Sequence, residues 1–181
     1  MIIGLGNPGP KYKNTYHSAG LLFIDYLEGD KNGAWCMVHG VRLLKSDAFM
    51  NVSGSFVAKT MRKAGIRPEE LLIAHDDSDL PIGEWKLSFD RGAGGHNGVA
   101  STIAELGTKA FWRARIGIRP IDKRHGSSDT RHEIRDMGRV ENRRAKAGEF
   151  VLKNITKENK KKLEKSFEEI ANKILSNDTK H

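Results

Sequence analysis

Five short polar segments hold the residue types that hydrolysis needs. Asn7 follows the apolar run Ile2-Ile3-Gly4-Leu5, and His17 follows the Gly/Pro loop after it. Asn51 ends Phe49-Met50-Asn51, His75 and Asp76 end the run Leu71–Ala74, and Asn97 follows Gly94-Gly95-His96. A histidine near neutral pKa can take a proton from water, and a carboxylate can fix its tautomer and stabilise the imidazolium. His17 with Asp76 supplies that pair. Asparagine amides donate hydrogen bonds without carrying charge, so they suit a developing oxyanion or a peptide carbonyl. Losing one such donor costs about 3 kcal/mol of barrier. Singly, a His or Asn after a strand is more often a turn or cap residue. Five such segments, far apart in sequence, can converge on one cleft.

Rival chemistries leave weaker traces. Gly4-x-Gly6-x-x-Gly9 matches a dinucleotide fingerprint after a strand, but Pro8 and Pro10 remove N–H donors that would cradle a pyrophosphate. Asp76-Asp77-x-Asp79 has the carboxylates to hold a magnesium ion, or is a turn before Leu80-Pro81. Neither a Gly-x-Ser-x-Gly elbow nor a His-Glu-x-x-His zinc motif occurs. Cys36 is the single cysteine. It excludes an internal disulfide, fits a reducing compartment and is expected to pack in a strand. Gly92-Ala93-Gly94-Gly95 is a dense glycine loop ahead of His96-Asn97, which lets backbone approach a substrate closely.

These segments need a frame that holds strand ends together. Ile2–Leu5, Leu71–Ala74, Trp85–Phe89 and Phe111–Ile118 read as strands, with Arg113 and Arg115 on one face of the last. Trp35–Val38 and Val41–Leu44, split by Gly40, read as a hairpin. Gly20–Leu27, Val52–Ala64 and Asn97–Leu106 read as helices, the second stopping at Gly65 with Pro68 beyond. Strands alternating with helices predict an α/β fold, a single three-layer domain with a central mixed β-sheet flanked by helices. In such sheets, sites form outside the carboxyl ends of the strands.

The chain has 181 residues, one domain's worth, and a formal charge of +8. That balance points to a polyanionic partner, most simply nucleic acid. The cationic surplus is five over residues 122–181 and three over residues 1–121. Residues 122–149 are polar and charge-dense, and read as a basic surface insertion in the 1–181 domain. Leu163, Phe167, Ile170 and Ile174 recur at helical spacing, predicting an amphipathic C-terminal helix over about 157–176. No apolar run reaches the ~20 residues of a membrane helix, and no secretory signal is read at Met1–Leu5. The expectation is a cytoplasmic protein, or one of an organellar matrix. It makes no membrane contact and is a monomer, since the C-terminal helix is the one evident apolar stripe.

Taken together, the segments resemble the bacterial-type peptidyl-tRNA hydrolase family. Gly4-Leu5-Gly6-Asn7-Pro8-Gly9, Tyr12 and Thr15-Tyr16-His17-Ser18-Ala19-Gly20 are similar to its first signature. Lys45 to Gly54, His75 to Gly83, Gly94-Gly95-His96-Asn97-Gly98 and Arg113 to Ile118 follow in the family's order. Phe150-Val151-Leu152 is similar to its C-terminal junction. The resemblance implies cleavage of the ester joining a peptide to tRNA, with peptidyl-tRNA as partner and no cofactor or metal. It implies His17 as the base toward water and Asp76 as its orienter. Asn7, Asn51 and Asn97, with Tyr12, Phe49, Met50 and His96, would contact substrate, and Lys86, Arg113 and Arg115 would hold tRNA phosphates. Arginine suits such contacts through bidentate pairing, and they add salt-sensitive affinity. The chain departs from the family's usual residues at Tyr16 (Arg), Ser18 (Asn), Ser88 (Lys) and Ala93 (His), and Arg119 interrupts the usual strand end. Tyr16, Ser18 and the basic insertion motivate an alternative, an RNA-binding homologue without turnover that acts as an assembly or splicing factor.

Overall fold

The computed structural model of the chain describes residues 1–29, 36–38, 40–120, 148 and 150–175. At its centre β1 (Ile2–Gly4) runs parallel to β3 (Val41–Lys45) on one side and β4 (Leu72–Pro81) on the other. β6 (Trp112–Arg119) adds in parallel to β4. Antiparallel edges complete the sheet, β2 (Cys36–Val38) beside β3 and β5 (Trp85–Phe89) beside β6. The order β2-β3-β1-β4-β6-β5 makes a mixed six-stranded sheet. The predicted hairpin, the half-buried strand at Trp85 and the α/β class all stand.

Helices cover both faces, as parallel strands require. α2 (Ser53–Ala64) and α3 (Asn97–Leu106) pack on one face, over Ile3, Leu5, Leu44, Ile73 and Phe111. α1 (Ala19–Glu28) and α4 (Lys157–Leu175) cover the other, where Phe23, Ile24, Leu163, Phe167 and Ile170 meet Leu43, Ala74, Ala114 and Ile116. Gly65 and Gly107 end α2 and α3 in the left-handed conformation that glycine adopts without a Cβ clash. The predicted C-terminal helix is confirmed over Lys157–Leu175. The predicted insertion at 122–149 lies outside the described residues except for Gly148, as does the side chain of Cys36.

Two features of the fold set the site. A Cβ on Gly20 would sit 2.2 Å from the Ala74 carbonyl oxygen, and one on Gly4 would sit 2.3 Å from the Gly20 carbonyl oxygen. These glycines let the first turn of α1 lie against β1 and β4, which carries the preceding His17 to Asp76 in the middle of β4. The second feature corrects the sequence reading. The strand read as ending at Ala74 runs on to Pro81, because β6 pairs with it from Leu72–Trp112 through Asp77–Gly117, with a register shift before Pro81–Arg119. Successive strand side chains point to opposite faces, so Asp76 and Asp77 are aimed apart. They do not form the magnesium cluster that their spacing suggested.

Candidate active site at the carboxyl edge of the sheet

A cleft of about 540 Å³ opens beyond the end of β1 and over β4 and β6. Asn7, His17, Phe49, Met50, Asn51, His75, Asp76, His96, Asn97, Arg113 and Arg115 all line it. The five polar segments converge there.

His17 and Asp76 touch. His17 Nδ1 lies 2.9 Å from Asp76 Oδ1 and 3.0 Å from Oδ2, so the ring donates through Nδ1 and keeps the lone pair of Nε2 for a ligand. The His17 backbone is fixed separately. Its N–H donates to the Val151 carbonyl at 2.8 Å, and the Tyr16 N–H donates to the Lys153 carbonyl at 3.2 Å. Burial by itself would lower the His17 pKa, but the charge of Asp76 and its hydrogen bond more than reverse this and leave it above 6.5. Asp76 is 3% exposed. Burial disfavours its charge, yet the two imidazoles beside it win, holding its pKa far below the ordinary carboxylate range.

The second imidazole is His96. Its Nε2 lies 3.0 Å from Asp76 Oδ1, and its Nδ1 accepts the Val99 N–H at 3.2 Å as the N-cap of α3. His75 packs edge-on against it with ring centroids 4.6 Å apart. Its Nδ1 donates to the Asp76 carbonyl at 2.7 Å, while its Nε2 is buried without a partner. Burial, reinforced by His96, pushes its pKa down to about 3.

All three asparagines line the cleft. Asn7 Oδ1 accepts the Met50 N–H at 2.9 Å, which orients its amide and leaves the NH₂ as the donor it can offer. Asn51 and Asn97 are exposed on the cleft wall. Phe49 is 53% exposed beside them, while Met50 is buried. Tyr12 does not line the cleft; it braces Phe49 edge-on at 6.3 Å. Lys86 also lies outside the cleft lining, exposed on β5 in register with Arg115.

The two arginines of β6 are held differently. Arg113 is 1% exposed and donates from both terminal nitrogens to the carbonyls of Arg91 and Gly92. It braces the glycine loop from inside, and its burial leaves it little surface to offer a phosphate. Arg115 faces the cleft but is bound to Asp77, Nε to Oδ2 at 2.6 Å. The sequence reading missed Arg91, an exposed arginine lining the cleft at the head of the glycine loop. An arginine beside Gly92 was the available signal. It also missed Val151 and Leu152, which belong to the cleft lining.

The departures around His17 are absorbed internally. Tyr16 is 3% exposed, stacks on Phe150 at 4.5 Å, and its hydroxyl accepts from Asn159 at 2.6 Å. Ser18 Oγ donates to the Tyr12 carbonyl at 2.7 Å. Neither displaces the His17–Asp76 pair, so nothing here favours a form without turnover.

For metals, the best donor set among the described residues is His17, Asp76 and His96, with one ligand atom each within 4.8 Å of the others. Those atoms are spent on N–H···O bonds of 2.9–3.0 Å, so a cation would have to displace both protons. The Gly4–Gly9 motif lacks the helix a dinucleotide site needs. Two short 3-10 turns, Pro10–Tyr12 and Tyr16–Ser18, follow it, and α1 starts only at Ala19. The arrangement suits a buried carboxylate, a histidine with a free nitrogen in a cleft, and amide donors nearby, which is the equipment for activating water at a carbonyl.

Comparison with known proteins agrees. The family described as Peptidyl-tRNA hydrolase matches residues 1–179. A peptidyl-tRNA hydrolase of Hydrogenobaculum is 38% identical over 168 residues, covering 85% of this chain and 89% of the relative. One from Desulfitobacterium hafniense is 43% identical over 130 residues, covering 65% and 70%. A solved peptidyl-tRNA hydrolase from Acinetobacter baumannii superposes with a TM-score of 0.74 at 30% identity, covering 96% of this chain and 85% of that one.

Proposed function

The chain belongs to the peptidyl-tRNA hydrolase family, hydrolases of the ester bond that joins a peptide to tRNA, and we propose that its cleft makes the cut with His17 as general base. His17 Nε2 takes a proton from water as the water oxygen attacks the ester carbonyl. Asp76 keeps the proton on Nδ1 and stabilises the imidazolium that forms. The amides of Asn7, Asn51 and Asn97 place the water, the peptide and the ester, and one of them meets the oxyanion. The intermediate collapses, the C–O bond to the ribose breaks, and His17 returns its proton to the leaving ribose oxygen. The products are a peptide carboxylate and a free tRNA end.

The observation that carries this reading is the His17–Asp76 bond, with Nδ1 committed and Nε2 available at a cleft lined by three asparagines. Phe49 and Leu152, both about half exposed in the cleft lining, offer apolar surface to the peptide. Arg91, Arg115 and Lys86 supply cationic donors for phosphates, in keeping with the +8 charge. The magnesium and dinucleotide alternatives have lost their geometric basis, and the mechanism needs neither. In this reading the protein works as a monomer on peptidyl-tRNA in the cytoplasm, with no membrane. The apolar face of α4 is spent on the core, and no helix among the described residues is long and apolar enough to cross a membrane.

The test is hydrolysis of N-acetylaminoacyl-tRNA by the wild type and His17→Ala, with unblocked aminoacyl-tRNA as control. Selective cleavage by the wild type, lost in the variant, is expected. Binding without cleavage by the wild type would overturn the reading.

A further inference from the structure

Asp76 serves two histidines through one oxygen. Oδ1 lies 2.9 Å from His17 Nδ1 and 3.0 Å from His96 Nε2, whereas Oδ2 meets only His17, at 3.0 Å, in the bonds described. His96 cannot turn its ring without losing a second bond. Its Nδ1 caps α3 by accepting the Val99 N–H, which assigns the ring proton to Nε2, aimed at the carboxylate. Sequence reasoning placed His96 against substrate. The geometry instead turns its donor inward, with 9% of its side chain exposed.

We propose that His96 is a positioning residue that holds the Asp76 carboxylate on α3 and draws off part of its charge, setting how strongly Asp76 favours the protonated form of His17. This rests on the reading of His17 as the base. A carboxylate stabilises a neighbouring imidazolium in proportion to its unshared charge, and each N–H it accepts disperses that charge. Two donors on one oxygen therefore compete. With His96 in place, His17 yields its acquired proton more readily and is in its base form at a lower pH than it would be with Asp76 to itself.

Other ionisable groups at the cleft do not supply this effect. From β4, His75 is buried with a pKa of about 3 and so is uncharged in the working range. Asp77 is paired with Arg115 of β6, and Arg113 of β6 is bound to loop carbonyls. Asp79 and Arg91 are exposed at the rim. The segment after Phe150 meets His17 with a backbone carbonyl, that of Val151. His96 is the donor aimed at the same carboxylate oxygen as His17.

The two nitrogens of His96 can be tested separately. Asparagine places its amide near the Nδ1 position and is a good N-cap, so His96→Asn keeps the cap and loses the bond to Asp76. Glutamine reaches the Nε2 position, so His96→Gln keeps a donor to Asp76 and weakens the cap. The measurements are kcat/KM on N-acetylaminoacyl-tRNA across the acid-to-neutral range, and NMR titration of the His17 ring. In His96→Asn, the acid limb and the His17 titration should both rise by about one pH unit, a tenfold loss of kcat/KM at the foot of the limb. In His96→Gln both should stay at the wild-type position whatever the turnover. An even fall at all pH values in His96→Asn, with the His17 titration unmoved, would overturn the proposal. If the wild type cleaves nothing, the functional reading fails, and the His17 titration alone decides this one.

Discussion

Asp76→Asn is the perturbation with the most closely defined outcome. The substitution keeps shape. Both imidazole donors converge on Oδ1, at 2.9 and 3.0 Å, so the amide oxygen can accept both where it stands. What is lost is the charge and the second oxygen's contact to His17 Nδ1 at 3.0 Å. Asp76 is 3% exposed, so water does little to replace that charge when His17 becomes an imidazolium in the transition state. Removing one partner of a buried pair costs about 3–5 kcal/mol. The lower figure is appropriate here because both hydrogen bonds survive in neutral form. About 3 kcal/mol is roughly a hundredfold in kcat. The pH profile should move as well. The Asp76 charge and bond are what raise His17 above 6.5, and burial alone would lower it. Without them the acid limb must shift to lower pH, opposite in direction to His96→Asn. Single-turnover hydrolysis with enzyme in excess reads this without interference from product release, and a melting curve confirms folding. A loss under about threefold, or a limb that stays or rises, would refute the reasoning.

Other consequences are equally concrete. His75 is depressed from 6.5 to about 3 in the fold, so between those values the unfolded chain binds a proton that the native one does not. Stability should therefore be lost as pH is lowered through that window, by about 1.4 kcal/mol per unit, and His75→Asn, which retains a donor for the Asp76 carbonyl, should flatten the slope in urea titrations. His17 acts with the opposite sign above that window: its stabilisation is full below 6.5 and is lost as pH rises through its raised native value. Arg91→Ala should raise KM for tRNA substrates severalfold and reduce the slope of log kcat/KM against log salt by about one unit. An unchanged slope would remove Arg91 from the phosphate contacts. Gly20→Ala puts a Cβ 2.2 Å from the Ala74 carbonyl oxygen, and should cost about 1–3 kcal/mol of stability and depress kcat as His17 is levered from Asp76.

The elements that carry a local signal were legible in the sequence. Alternation marked β5, glycine stops marked the end of α2, and apolar spacing marked α4. β4 was cut short because His75-Asp76-Asp77-Ser78-Asp79 has a loop's composition, and only pairing with β6 keeps it extended. His17, Asp76 and the three asparagines could be singled out by type and place, and all five line the cleft. Their direction was not legible. Arg113 and Arg115 do share a strand face as predicted, but nothing local reveals that Arg113 turns to the carbonyls of Arg91 and Gly92 or that His96 turns to Asp76. The Val151 carbonyl that anchors His17 is a backbone group, and every residue has one.

That anchor has a consequence for biogenesis. A chain leaves the ribosome amino end first, and domains fold as their sequence emerges. All six strands are complete once Arg119 is out, with Asp76, His96 and the three asparagines already in hand. The carbonyls that fix Tyr16 and His17 belong to Lys153 and Val151, and Asn14 is tied by the N–H of Ile155. Until those residues are made and dock, the Tyr16–His17 segment lacks these backbone ties and the cleft lacks the part of its lining that Val151 and Leu152 supply.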